Sequence, residues 1–139
     1  MSQDRRLHEA RRWLLTAEED LDAARALRDA GKFSHACFHA QQCGEKALKA
    51  VWHSLDEDPW GHSVQKLLAD ILPPAVRERL EAFKEQATLL DRYYIPTRYP
   101  NGLPDLTPGQ CYLLEDAESC IEAAEKLSAG ARAELPGDE

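Results

Sequence analysis

A chain of 139 residues with 43% hydrophobic and 30% charged residues, and ordinary amounts of glycine and proline, has the make-up of one globular domain, neither fibrous nor disordered. At this length folding buries roughly two-thirds of the surface that the open chain exposes, so no disulfide or metal staple is required. The net charge of −8 gathers toward the carboxyl end, with residues 1–53 at +1, 54–105 at −3 and 106–139 at −6, which excludes broad duplex DNA binding and leaves room for a local anion site.

The amino terminus, MSQDRRLHEARRW, has no apolar core for a signal peptide, and no run of about 18 apolar residues could span a membrane. A cytoplasmic protein without a membrane partner is expected. Cys37, Cys43, Cys111 and Cys120 match neither a C-x-x-C pair nor a zinc knuckle and are expected to be reduced thiols, partly buried.

Ser2 caps a first helix in which Leu7, Ala10, Leu14, Ala17, Leu21 and Ala24 alternate steps of three and four, the spacing of a bundle seam. Gly31 in "DAGKF" stops it, because glycine takes the left-handed conformation without steric cost. A second helix over about 34–55 carries Ala36, Cys37, Ala40, Gly44, Ala47, Leu48 and Val51 on its apolar side, small enough for a neighbouring helix to come close. "DEDPWG" at 56–61 ends it, and a short helix over about 63–71 precedes Pro73-Pro74.

One continuous helix is predicted over 75–92, because Val76, Leu80, Phe83, Ala87, Leu90 and Tyr94 advance by four, three, four, three and four. Pro96, Pro100 and the turn "NGLPDL" interrupt the backbone. Thr107-Pro108 then serves as N-cap and first residue of a last helix, with Leu114, Ala117, Ile121, Ala124 and Leu127, to about Ala131. Residues 132–139 are expected to fray. The predicted fold is all-α, a single domain over 1–139 forming an up-and-down antiparallel bundle of four long helices and one short one.

On the second helix His35, His39, Gln42, Lys46, Lys49 and His53 form a polar stripe opposite the apolar side, either a solvated face or a surface for a nucleotide or partner. His35, His39 and Cys43 follow at steps of four, but the glutamate of a metalloprotease helix is missing and no fourth ligand is in view, so no metal is expected. Standard phosphate loops are absent, and no cofactor is expected. The segment "LLDRYYIPTRYPNGLP" at 89–104 concentrates Arg92, Arg98 and three tyrosines. Paired guanidinium donors suit phosphate and a tyrosine ring stacks on a base; equally, the tyrosines can seal the end of the bundle while the arginines pair with acids.

"FSHACFHAQQCGEKALKAVW" (33–52), with Gln41, Gln42, Glu45 and Lys46, resembles the second helix of HEPN domains, and "LLDRYYIPTRYPNGLPD" (89–105) resembles the Tyr-Pro-rich helix exit of the same family. The resemblance implies an all-α bundle, commonly a homodimer, that in many bacterial members works beside a minimal nucleotidyltransferase as a toxin and antitoxin pair. Many members are metal-independent ribonucleases that use an Arg-x(4–6)-His motif at this helix exit. Here no histidine follows Arg92 or Arg98 at that spacing.

The expectation is therefore a homodimeric binding module for a nucleotide, single-stranded RNA or a minimal nucleotidyltransferase partner, with enzymatic activity left open and the ribonuclease motif not carried over. Its phosphate- or nucleotide-binding candidates are Arg92, Arg98, Tyr99 and Lys46, and its secondary candidates are His35, His39, Gln42 and Glu45. The alternatives are a divergent metal-independent ribonuclease, with His35 or His39 as base, and a purely structural dimeric bundle.

Overall fold

The computed structural model describes residues 2–137, in which seven α-helices and two 3₁₀ turns alternate with loops and no strand occurs among the described residues. The helices are α1 (Gln3–Asp29), α2 (Phe33–Ser54), α3 (Val64–Ala69), α4 (Pro74–Leu80), α5 (Lys84–Asp91), α6 (Pro108–Cys111) and α7 (Leu114–Glu134). Cross-contacts fix their directions. Trp13 stacks on His53 and Asp20 meets Lys46, so α2 descends beside a rising α1. Phe83 lies against Gly130 and Tyr93 bonds Asp116, so α5 rises against a descending α7. The result is the expected up-and-down all-α bundle.

The caps explain the first two helices. Ser2 Oγ accepts from the Arg5 N–H at 3.2 Å, and Gly31 at φ 76° turns the chain into α2. The core between α1, α2 and α7 is made largely of small side chains, with Ala10, Ala17, Ala24, Ala40, Ala47, Ala117 and Ala124 fully buried, which lets the helix backbones approach closely. Gly44 marks a close approach of α2 to α5 and α7: a Cβ there would stand 2.6 Å from Leu90 Cδ1 and 3.2 Å from Leu127 Cδ2.

Two elements differ from the sequence expectation. The continuous helix over 75–92 is divided by a 3₁₀ turn at Glu81–Phe83. That turn places the Phe83 ring directly over Gly130, where a Cβ would collide with the ring, and the chain regains α-geometry only at Lys84. The helix then ends at Asp91 with Arg92 as its C-cap, and the Asp91 carboxylate caps α3, accepting from Ser63 Oγ (2.7 Å), Val64 N (2.6 Å) and Gln65 N (3.1 Å). Tyr94 consequently lies beyond the helix.

The last helix is also divided. Thr107 and Pro108 do open a helix, with Gln110 Oε1 accepting from the Thr107 N–H at 3.1 Å, but it is the short α6. Tyr112 and Leu113 are extended, and α7 restarts where Asp116 Oδ2 accepts from the Leu113 N–H at 2.8 Å. The extended step directs Tyr112 onto Tyr93, ring centroids 5.8 Å apart, and leaves Leu114 exposed where a core position was expected. Beyond Ala131, α7 continues to Glu134, which pairs with Arg79, and Leu135 is buried. Asp138 and Glu139, also in the expected frayed tail, lie outside the described residues.

Candidate functional site

After α5 the chain turns sharply, and the turn is held from within. Thr97, fully buried, donates its hydroxyl to the Tyr93 carbonyl at 2.7 Å, and Arg98 Nε donates to the Tyr94 carbonyl at 3.3 Å. These bonds set Arg98 against three rings: its guanidinium carbon stands 4.5 Å from the centre of Phe38, 4.7 Å from Tyr94 and 5.1 Å from Tyr99. Aromatic faces attract the cation and fix its plane. No carboxylate pairs with Arg98 among the described residues, so its terminal donors are open to an anion.

His62 joins the cluster from the loop before α3, stacking on Tyr94 with centroids 5.1 Å apart. Its Nδ1 lies 3.3 Å from Glu45 Oε2, and its backbone carbonyl accepts from Gln41 Nε2 at 3.2 Å. Glu45 is only 5% exposed and also receives Lys49 at 3.1 Å, so the imidazole is steered by a carboxylate that water hardly reaches. His39 has a similar support: its Nδ1 is 3.0 Å from Asp20 Oδ1, and its ring meets Phe38 edge-on. A carboxylate accepts only, so each pair places the ring proton on Nδ1 and leaves Nε2 free for another group.

Asp20 also accepts from Lys46 Nζ at 2.7 Å. Burial alone would raise its pKa, yet the bonds from His39 and Lys46 outweigh burial and hold the carboxyl below the usual range. Lys46 is thereby committed to an ion pair. Farther down the stripe Lys49 packs 5.8 Å from the Trp13 ring centre and His53 stacks on the same ring. Most of the polar stripe on α2 is thus the seam between α1 and α2, and His35 stands exposed one turn before His39.

The structure brings together Arg98 and Tyr99 and, through His62, Glu45 and Gln41, to whose Oε1 Gln42 Nε2 donates at 2.8 Å; His39 is turned to Asp20 and meets the cluster only through the edge of Phe38. It separates Arg92, which lines a different groove between α5 and α7. His35, His39 and Cys43 do not converge: Cys43 is fully buried on the α7 side, its pKa pushed up to about 12 by burial, and no group of three metal-capable side chains forms among the described residues. The site residues that the sequence candidates lack are Phe38 and Tyr94; His62, in the sequence a histidine that only folding could bring to the arginine segment, is brought there. Tyr94 carried a misleading signal, because it falls in step with the apolar positions of α5; Phe38 and His62 had only their residue type.

A bundle of this topology with a polar α2 and an arginine-tyrosine exit from the third long segment defines a class. The HEPN domain model matches residues 10–132, and the chain belongs to that family. It is 29% identical over 125 residues, 85% of this chain and 82% of the other, to "Putative toxin MJ1304" of Methanocaldococcus jannaschii. Among solved structures it is similar to TT1696 of Thermus thermophilus (36% identity, 91% of this chain and 98% of that one, TM-score 0.80). It is also similar to ST0689, an archaeal HEPN homologue (33%, 91% and 98%, TM-score 0.75), and to an HEPN domain protein of Thermotoga maritima (28%, 88% and 95%, TM-score 0.63).

Proposed function

We propose that this HEPN chain is a binding module that takes the phosphate of a nucleotide, or of a nucleotide-bearing partner, at Arg98, and that it works as the dimeric partner of a minimal nucleotidyltransferase in a toxin-antitoxin-like pair. The observation that carries the reading is the state of Arg98: a guanidinium held on three rings, with no acid to neutralise it among the described residues. Tyr99 is 51% exposed beside it and offers a free face to a base. His62, stacked on Tyr94, supplies further polar atoms beside it. Ile95, Tyr99, Leu106, Leu113 and Leu114 are all exposed between residues 95 and 114, and this apolar surface on the chain between α5 and the start of α7 suits a partner. The name of the Methanocaldococcus jannaschii relative accords with a toxin-antitoxin setting.

A ligand that binds only the folded chain raises its melting temperature by mass action. A panel of nucleotides should therefore shift wild type upward by more than ribose 5-phosphate does, and Arg98→Gln should abolish that excess, while Arg92→Gln should keep it. No shift beyond that of ribose 5-phosphate, or an excess that survives Arg98→Gln, overturns the reading. Co-expression with a minimal nucleotidyltransferase encoded beside the gene, followed by sedimentation analysis, tests partner and dimer together.

The carboxylate-supported histidines favour one second reading, a divergent metal-independent ribonuclease with Arg98 on the phosphate and His39 as base. RNA incubated with the protein and a chelator separates the two. Cleavage lost in both Arg98→Gln and His39→Ala supports the enzyme, and intact RNA removes it.

A further inference from the structure

Arg92 lies where the Arg98 cluster does not reach. A groove of about 530 Å³ runs between α5 and α7, with Lys84, Leu89 and Arg92 on one wall and Ser119, Ala123 and Lys126 on the other. On its α7 side Ser119 and Ala123 are small beside Glu122 and Lys126, and Leu89 and Ala123 are the apolar residues of its lining.

The charges in the groove are unevenly placed. Lys126 is held by Glu122 at 3.0 Å, and Glu85 stands about 10 Å along the helix from Arg92. Arg92 itself has no carboxylate partner among the described residues, and the exposed Ser119 stands across the groove from it. Two guanidinium donors and a hydroxyl suit a tetrahedral oxyanion better than a planar carboxylate, which the arginine fork alone would saturate. No aromatic ring lines the groove among the described residues, so nothing there stacks on a base.

Gln86 adds the last element. It lines the groove, yet its Oε1 is enclosed without a hydrogen-bond partner, an arrangement that costs stability. Turning the amide outward would offer this acceptor to a hydroxyl in the groove.

We propose that the groove between α5 and α7 is a second ligand site, independent of Arg98, for a sugar phosphate recognised without its base. Arg92 and Ser119 take the phosphate, Gln86 accepts from a sugar hydroxyl, and Leu89 with Ala123 supports the ring. A free sugar phosphate and a ribose-phosphate backbone share this chemistry.

Calorimetric titration with ribose 5-phosphate, inorganic phosphate and ribose tests it. Ribose 5-phosphate should bind one to one and at least tenfold more tightly than inorganic phosphate. Arg92→Gln should weaken it at least tenfold, and Arg98→Gln should leave it unchanged. Gln86→Leu should bring ribose 5-phosphate down to the level of phosphate and raise the melting temperature of the unliganded protein, since it removes the enclosed acceptor. Equal binding of phosphate and ribose 5-phosphate, indifference to Arg92→Gln, or loss in Arg98→Gln overturns the proposal. An abasic ribose-phosphate tetramer binding tenfold more tightly than the monomer identifies the backbone as source, and equal binding identifies the free sugar phosphate.

Discussion

Asp20 is the residue on which the polar seam between α1 and α2 turns. Its two oxygens serve His39 and Lys46, one on each side of the small-residue stretch of α2, so its charge aligns a site histidine and neutralises a half-buried ammonium. Asp20→Asn would leave Lys46 without a counter-charge and should destabilise the fold by about 1–3 kcal/mol near pH 7. The pH dependence follows from the direction of the shift. Because the folded-state pKa lies below the unfolded one, the contribution is fully present above the usual carboxylate value of about 3.9 and is lost as pH falls through the lower, folded value. Urea unfolding of both proteins at pH 6 and again near pH 3 checks this: the gap should narrow at the lower pH, and a constant gap would show that the charge is not its source.

Among the elements, α3 has six residues and depends on a cap supplied from outside it. Ser63 Oγ accepts from the Lys66 N–H, while Asp91 accepts from the Ser63 hydroxyl and from the amides of Val64 and Gln65. An anion at these free amides is favoured both by the bonds and by the helix dipole. Asp91→Ala should therefore cost about 1–2 kcal/mol and speed hydrogen exchange at Val64 and Gln65, leaving α7 protected; unchanged exchange at those amides would contradict the capping role. The same contact shows where sequence reading stops. The apolar repeat of α1 and the Gly31 stop are local signals and appear as expected, whereas the cap of α3 is supplied by Asp91, 28 residues from Ser63. Neither break, at Glu81–Phe83 or at Tyr112–Leu113, contains a proline or a glycine to announce it. Each is made by tertiary fit, Phe83 over Gly130 and Tyr112 against Tyr93. The site follows this division. Arg98 and Tyr99 are adjacent in sequence and could be chosen together, but the Phe38 ring and the His62 imidazole beside them come from α2 and the loop before α3. Lys46 looked free only because Asp20, its partner, lies 26 residues earlier on another helix.

For the molecule as a whole, the −8 charge sets the terms of any encounter with a phosphate. α7 carries Glu115, Glu118, Glu122 and Glu125 on its exposed positions, and most of the other arginines are spent on acids or carbonyls, as in Arg25–Glu125, Arg79–Glu134 and Arg132–Glu18. A polyanion is therefore repelled at long range and gains only at the few cations left open. The recognition proposed at Arg98 must then be local, a single well-held contact in place of a basic face. Its measurable consequence is a shallow salt dependence. Each phosphate contact with a single strand contributes a slope of about −0.7 to log K against log salt, so one or two contacts predict a total between about −0.7 and −1.4, or roughly a three- to sevenfold loss from 50 to 200 mM salt. A basic face making six to ten contacts would lose on the order of a thousandfold or more over the same range. Fluorescence titration of a short single-stranded oligonucleotide at several salt concentrations distinguishes the two, and a slope steeper than about −4 would mean that binding uses a surface other than the Arg98 cluster.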